Sequence, residues 1–282
     1  MNKKFLISTH GFDMGIGGIK VLHRLCHLLN ERGHDAYLIP LHFDWPFAIY
    51  EGYNTKLVTQ EIMDNLDDVI VIYPESWFGN YLNAKNVVRW MIGMPSDDHI
   101  KTWHDEDLWF WYIPAYVTDK YSQKYPDNFL CITEQHRDIF YDTKSLRNGT
   151  SWTLRKAQSY ITPTQYIHPA NSTFIPYQAA GNLIELAKVF NASELFYCYD
   201  PYTYLPIQSL MCNTDAVVIP NNKTKEQFFA GYELNKYIAY GVDDLSRSRS
   251  IRNEFFDHLD LIEQKTLTQL DIFVEKCYAH FK

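Results

Sequence analysis

Two kinds of apolar patterning alternate along the chain. Residues 5–9, 36–40, 69–73, 129–133, 195–198 and 216–219 are short, continuous apolar runs that stop at polar or proline-bearing turns, which predicts strands buried on both faces. Between them, apolar residues return at every third or fourth position. Ile19, Leu22, Leu25, Cys26, Leu28 and Leu29 make one such stripe, ended by Gly33. Further helices are predicted over residues 80–90, closed by Gly93 and Pro95, over 135–141 and 182–190, and from Pro201 to Met211. Helical spacing then continues through 225–239 and a two-part tail, 246–265 and 267–281, with Phe255, Leu259 and Ile262 on one face.

Strand followed by helix followed by strand is the pattern of a parallel α/β sheet, and no sequence repeat is seen. The stretch 193–220 is the clearest unit. Its polar residues Tyr199, Asp200 and Thr203 cluster where the strand ends and the helix begins, the edge at which open α/β sheets take their ligands. The first unit carries Gly15, Gly17 and Gly18 at the corresponding edge. These do not make G-x-G-x-x-G, so a dinucleotide fingerprint is not met. They either form a tight turn or let a phosphate or sugar approach the backbone at the helix start.

Composition narrows the classes. The 282 residues and 46% hydrophobic content suffice for two modest cores. A net charge of −8 argues against a basic nucleic-acid-binding face, so no nucleic acid is expected as a partner. The five cysteines have no metal spacing and read as reduced thiols, and no apolar run is long enough to span a bilayer. The expectation is a cytoplasmic protein without a transmembrane segment, for which peripheral membrane association stays open.

Candidate chemistry is carried by few residues. Glu75, at the end of the strand 69–73, either caps the helix expected after it or binds an acceptor hydroxyl. Asp105-x-Asp107 has the form of an acidic pair that holds a divalent cation on a diphosphate, or is a solvated acidic loop. Arg155 and Lys156 are a solvated cation pair unless they face Asp200, in which case they form a phosphate clamp.

The opening S-T-H-G-F-D-M-G-I-G-G-I-K resembles the first unit of GT-B glycosyltransferases, which are built from two Rossmann-like domains. Retaining members carry E-x7-E in the second domain. The matching frame here is Asp200, seven residues, then Gln208, with both acids changed. The string F-Y-C-Y-D-P-Y-T is similar to surface-polysaccharide, rhamnosyltransferase-like enzymes with Y-D-P-x-T. That group also tends to show P-E, G-N, R-W and R-K, matched by Pro74-Glu75, Gly79-Asn80, Arg89-Trp90 and Arg155-Lys156.

The resemblance implies an α/β fold of two Rossmann-like domains, the second shortened. Residues 1–148 would be the acceptor-side domain, 149–245 the nucleotide-sugar domain, and 246–282 a helical tail packing back on the first. It implies a hexosyl- or deoxyhexosyltransferase of polysaccharide biosynthesis acting on a glycan or lipid-linked acceptor, retaining and independent of metal. No cofactor is implied beyond a UDP-, GDP- or dTDP-sugar co-substrate. Catalysis would rest on Asp200, Arg155 and Lys156. Gly15, Gly17, Gly18, Tyr199, Thr203 and Gln208 would bind the donor, and Glu75 and Asn80 would lie on the acceptor side. The alternatives are a metal-dependent GT-A transferase using Asp105 and Asp107, and a non-catalytic GT-B-like protein that binds glycans.

Overall fold

The computed structural model describes residues 3–41, 46–155, 157, 161–176, 179, 181–221 and 223–282. It divides into two compact units, one of residues 1–133 with 263–282 and one of residues 134–262.

The first unit holds β1 (Lys4–Thr9), α1 (Gly17–Glu31), β2 (Ala36–Pro40), α2 (Gln60–Met63), β3 (Val69–Pro74), β4 (Asn86–Met91), α3 (Asp97–Ile100) and β5 (Leu108–Trp111). Its sheet is parallel throughout, in the order β2-β1-β3-β4-β5. Both faces are covered, which is why its strands read as unbroken apolar runs. Leu22, Leu25 and Leu29 of α1 pack with Ile7, Ile72, Val88 and Trp90 on one face. The same cluster takes in Leu270, Phe273 and Cys277. Ile62 of α2 packs with Leu6, Val71, Tyr73 and Val87 on the other.

The second unit holds β6 (Thr150–Thr153), β7 (Thr173–Phe174), α4 (Leu183–Ala192), β8 (Leu195–Cys198), α5 (Leu205–Met211), β9 (Asp215–Val218), α6 (Lys225–Gly231), β10 (Ala239–Tyr240) and α7 (Leu245–Ser250). Its sheet is also parallel, in the order β10-β9-β8-β6-β7. A further helix, α8 (Phe255–His280), contributes residues to both units; the break in the helical tail expected at 266 falls instead at 251–254, between α7 and α8. Counted from its own first strand, each sheet has the order 2-1-3-4-5. The two units therefore repeat one topology that leaves no trace as a sequence repeat.

Four local expectations change. No helix forms over 80–90: residues 80–85 are turns and 86–91 a strand, because the β-branched Val87-Val88 pair and every neighbour up to Met91 are buried between two covered faces. Leu108–Trp111 is a strand where none was expected. The run 129–133 lies extended beside it, the Leu130 N–H donating to the Trp111 carbonyl at 2.9 Å, and the following segment makes one turn at His136 in place of a helix. The helix expected over 225–239 ends at Gly231 and gives way to a 3-10 turn, Glu233–Tyr237, and β10.

Arg147 is the tie of the second unit. Its guanidinium donates to the Cys212 carbonyl at 2.6 Å, the Thr214 hydroxyl at 2.7 Å, Asp142 at 3.0 Å and the Ser193 carbonyl at 3.1 Å. Five planar donors suit that set of acceptors, which a lysine could not match.

Candidate functional site

In a 2-1-3-4-5 sheet the chain leaves in opposite directions from strands 1 and 3. Helices on either side of that switch leave a crevice at the carboxyl ends of the strands. In the second unit the switch lies between β6 and β8, whose last residues, Thr153 and Cys198, are paired. Two residues beyond each stand Arg155 and Asp200.

Asp200 is 1% exposed. It accepts the Arg155 backbone N–H at 2.8 Å on one oxygen and the Ala157 N–H at 2.9 Å on the other. Backbone amides offset its charge and make burial tolerable. Arg155 is partly exposed, and its charge is felt as far as Cys198, whose thiol burial nevertheless drives well above its ordinary pKa. Lys156 lies outside the described residues.

Tyr199 points elsewhere. Its hydroxyl accepts the Ile167 N–H at 2.9 Å and lies 2.8 Å from His168 Nδ1. The tyrosine oxygen thus joins the Ile167 amide and the His168 ring through one atom. The imidazole is stacked on Trp152 at 4.1 Å, and burial holds its pKa below the usual value. Thr203 is half-buried in the turn before α5, and Gln208 lies buried within that helix.

The first unit has its switch between β1 and β3. After β1, the Gly15 N–H donates to Asp13 at 2.7 Å, and α1 opens at Gly17 with no side-chain cap and no acidic residue in its first turn. A Cβ at Gly17 would meet nothing within 4 Å, whereas one at Gly18 would reach Ile92 Cδ1 at 3.3 Å. After β3, Glu75 caps no helix. It reaches sideways to accept the Ile92 N–H at 3.0 Å, and a Cβ on Gly93 would stand 2.5 Å from its second oxygen. Asn80 folds its own loop: its carbonyl oxygen accepts from the Tyr73 hydroxyl and the Ala84 N–H, each at 3.1 Å, and its amide donates to the Ala84 carbonyl at 2.8 Å.

The acidic pair does not assemble. Asp107 is 4% exposed and bound to Arg89 at 2.7 Å, while Asp105 stands fully in solvent near Lys124. Among the described residues, no group of three or more His, Cys, Asp or Glu side chains is placed to hold a metal ion. Among them also, no helix is long and apolar enough to cross a membrane.

No protein-family model and no curated protein matches the chain. Solved structures that it resembles include an α-glucosyltransferase in complex with UDP and a 13-mer DNA containing an HMU base. That match has 12% identity and TM-score 0.48, and covers 100% of this chain and 95% of that one. A T4 phage BGT in complex with UDP and Mn²⁺ follows, with 14% identity, TM-score 0.47 and coverage of 99% and 97%. Another is MurG of Acinetobacter baumannii, with 13% identity, TM-score 0.38 and coverage of 97% and 95%. The first of these corrects one expectation. That α-glucosyltransferase was solved with DNA, and the exclusion of nucleic acid as a partner is withdrawn.

Proposed function

We propose that the protein is a glycosyltransferase that uses a nucleotide sugar, with the donor diphosphate received at the β6/β8 switch of the second unit. The observation that carries this reading is the loop bearing Arg155, fastened by Asp200 at the carboxyl edge of a parallel sheet, where such sheets take their ligands. The ordered motifs Y-D-P-x-T, P-E, G-N, R-W and R-K support it.

In this reading Arg155 and Lys156 offset the charge that grows on the departing diphosphate, and no metal is needed for that task. Thr203 and the Gln208 amide hydrogen-bond the donor, the amide meeting the ribose diol less strongly than a carboxylate would. In the first unit, Gly15, Gly17 and Gly18 leave the start of α1 open to a polar ligand, and Glu75 receives an acceptor hydroxyl. The bond between the anomeric carbon and the phosphate oxygen breaks, the diphosphate leaving with the electron pair. The acceptor oxygen bonds the same face of that carbon, and its proton passes to the departing phosphate. The sugar, a hexose or deoxyhexose, keeps its anomeric configuration, and the acceptor is a glycan or lipid-linked sugar.

Calorimetry with UDP-, GDP- and dTDP-sugars tests the donor. One of them is expected to bind the wild type, and Arg155→Ala to weaken it by ~10-fold or more, the worth of a lost charge-assisted bond. Absence of binding by all three refutes the reading. Turnover is then followed by NMR of the anomeric proton, in excess chelator, over a panel of glycans, lipid-linked sugars and an oligonucleotide. An inverted product, or activity lost with the chelator, refutes the retaining, metal-independent mechanism.

A further inference from the structure

We infer that Asp200 is a positioning residue for Arg155 and makes no contact with the donor sugar. The inference rests on the donor reading above and departs from the catalytic role that the motif frame implies for this position. Each carboxylate oxygen accepts a backbone donor of one segment, Arg155 N–H at 2.8 Å and Ala157 N–H at 2.9 Å, and with the residue 1% exposed the acceptor sites that remain are closed to a ligand. A second bond fixes the carboxylate's own backbone: the Cys198 thiol lies 3.2 Å from the Asp200 carbonyl, to which it donates.

The neighbouring residue completes the device. Tyr199 receives the Ile167 N–H and engages His168, so two consecutive residues after β8 hold Arg155 and Ala157 on one side and Ile167 and His168 on the other. Electrostatics points the same way. A bare buried carboxylate beside a diphosphate would oppose it, whereas one whose charge is taken up by two amides organises the loop that carries the cation.

Asp200→Asn separates the possibilities because the amide is isosteric but offers one acceptor and one NH₂ group. That NH₂ must face one of the two N–H donors. Two measurements are made on the full-length chain. In the ligand-free protein, hydrogen exchange at the 155 and 157 amides is expected to quicken by ~10-fold or more, as one charge-assisted bond is lost. Amides of β1 and β3 should keep their rates. In calorimetry with UDP, GDP and dTDP and their sugars, affinity for the bound diphosphate and for its sugar should fall by the same factor. Arg155→Ala combined with Asp200→Asn should bind no more weakly than Arg155→Ala alone.

Unchanged exchange at 155 and 157 overturns the inference, as does loss of nucleotide-sugar binding with diphosphate binding intact, which is the signature of a sugar contact. If no nucleotide binds the wild type, the donor reading fails while the exchange rates still decide whether Asp200 holds the loop. Should Asp200→Asn not fold, Asp200→Glu, which keeps both acceptors on a stem one methylene longer, is expected to show the same equal losses in a milder form.

Discussion

The guanidinium of Arg89 and the carboxylate of Asp107 meet at 2.7 Å with neither side chain more than 4% exposed. Arg89 also donates to the Gly79 carbonyl at 2.7 Å and lies over the rings of Tyr73 and Trp103 at 4.9 and 5.0 Å. One buried cation thus closes two loops over a face of the first sheet, and burial lowers its pKa even against the pull of Asp107. Its Nη1 finds no partner among the described residues, which adds to the cost of the arrangement. Asp107→Ala should therefore cost about 3–5 kcal/mol, the price of a buried charge left alone. Arg89→Met with Asp107→Leu should cost less than either single change. Urea midpoints of the three variants check this, and a double variant weaker than both singles would contradict it.

A second ionic hub predicts a pH profile. Asp244 is 7% exposed at the end of the second sheet, where it takes Lys225 at 2.6 Å, Arg247 at 2.7 Å and the Tyr240 N–H at 3.0 Å. Burial opposes its ionisation, but the bonds from Arg247 and Lys225 outweigh burial and bring the pKa from 3.8 to about 2. A depressed carboxylate stabilises above its unfolded pKa, and that stability is lost as the pH falls from 3.8 through 2. Asp244→Asn should cost about 1–2 kcal/mol at neutral pH. The gap to wild type should narrow below pH 4, as read from unfolding midpoints at a series of pH values.

The legible parts of this chain are those whose signals are local. Residues 36–40 and 195–198 are delimited to the residue because each apolar run is bounded by turn-forming neighbours. Residues 86–91 are misread because Arg89 interrupts the apolar pattern, and what makes it a core residue, Asp107, lies 18 positions away. The aromatic strand Leu108–Trp111 hides behind the acids that precede it, although W-F-W was the available signal. Asp200 could be singled out from its place at a strand end. Its orientation could not, since the amides it binds belong to another strand's loop. Arg147 is the same case: its acceptors sit at Asp142, Phe190, Ser193, Cys212 and Thr214, and nothing in their spacing announces a single cation.

Two glycines at the edge of the first sheet should behave oppositely. Gly93→Ala puts a methyl group 2.5 Å from a Glu75 oxygen, so either the carboxylate or the backbone must move. The carboxylate ends a flexible side chain and can swing away, so the loss is that of its bond to the Ile92 N–H, about 1 kcal/mol. Gly17→Ala adds a methyl group where nothing lies within 4 Å and removes backbone freedom at the start of a helix, so stability should hold or rise by about 0.5–1 kcal/mol. Thermal unfolding of the two variants decides. If Gly17→Ala keeps its stability yet reduces nucleotide-sugar turnover, the open start of α1 is a ligand contact.

The bond between Tyr199 and His168 carries a prediction about acid stability. Burial lowers the pKa of His168 below 6.5, so the folded protein resists the proton that the unfolded chain accepts. For such a group, stability is fully present above 6.5 and declines as the pH falls through the folded pKa. His23 and His34 in the first unit are shifted the same way by burial, and they add to the decline. His168→Gln should flatten the part that belongs to the second unit. Tyr199→Phe should cost about 1–2 kcal/mol at pH 8, because the Ile167 N–H loses its acceptor. Tryptophan fluorescence gives a direct view, since Trp152 stacks on the imidazole and its emission should change as His168 gains a proton. An emission profile that stays the same in His168→Gln would assign the acid transition to other groups.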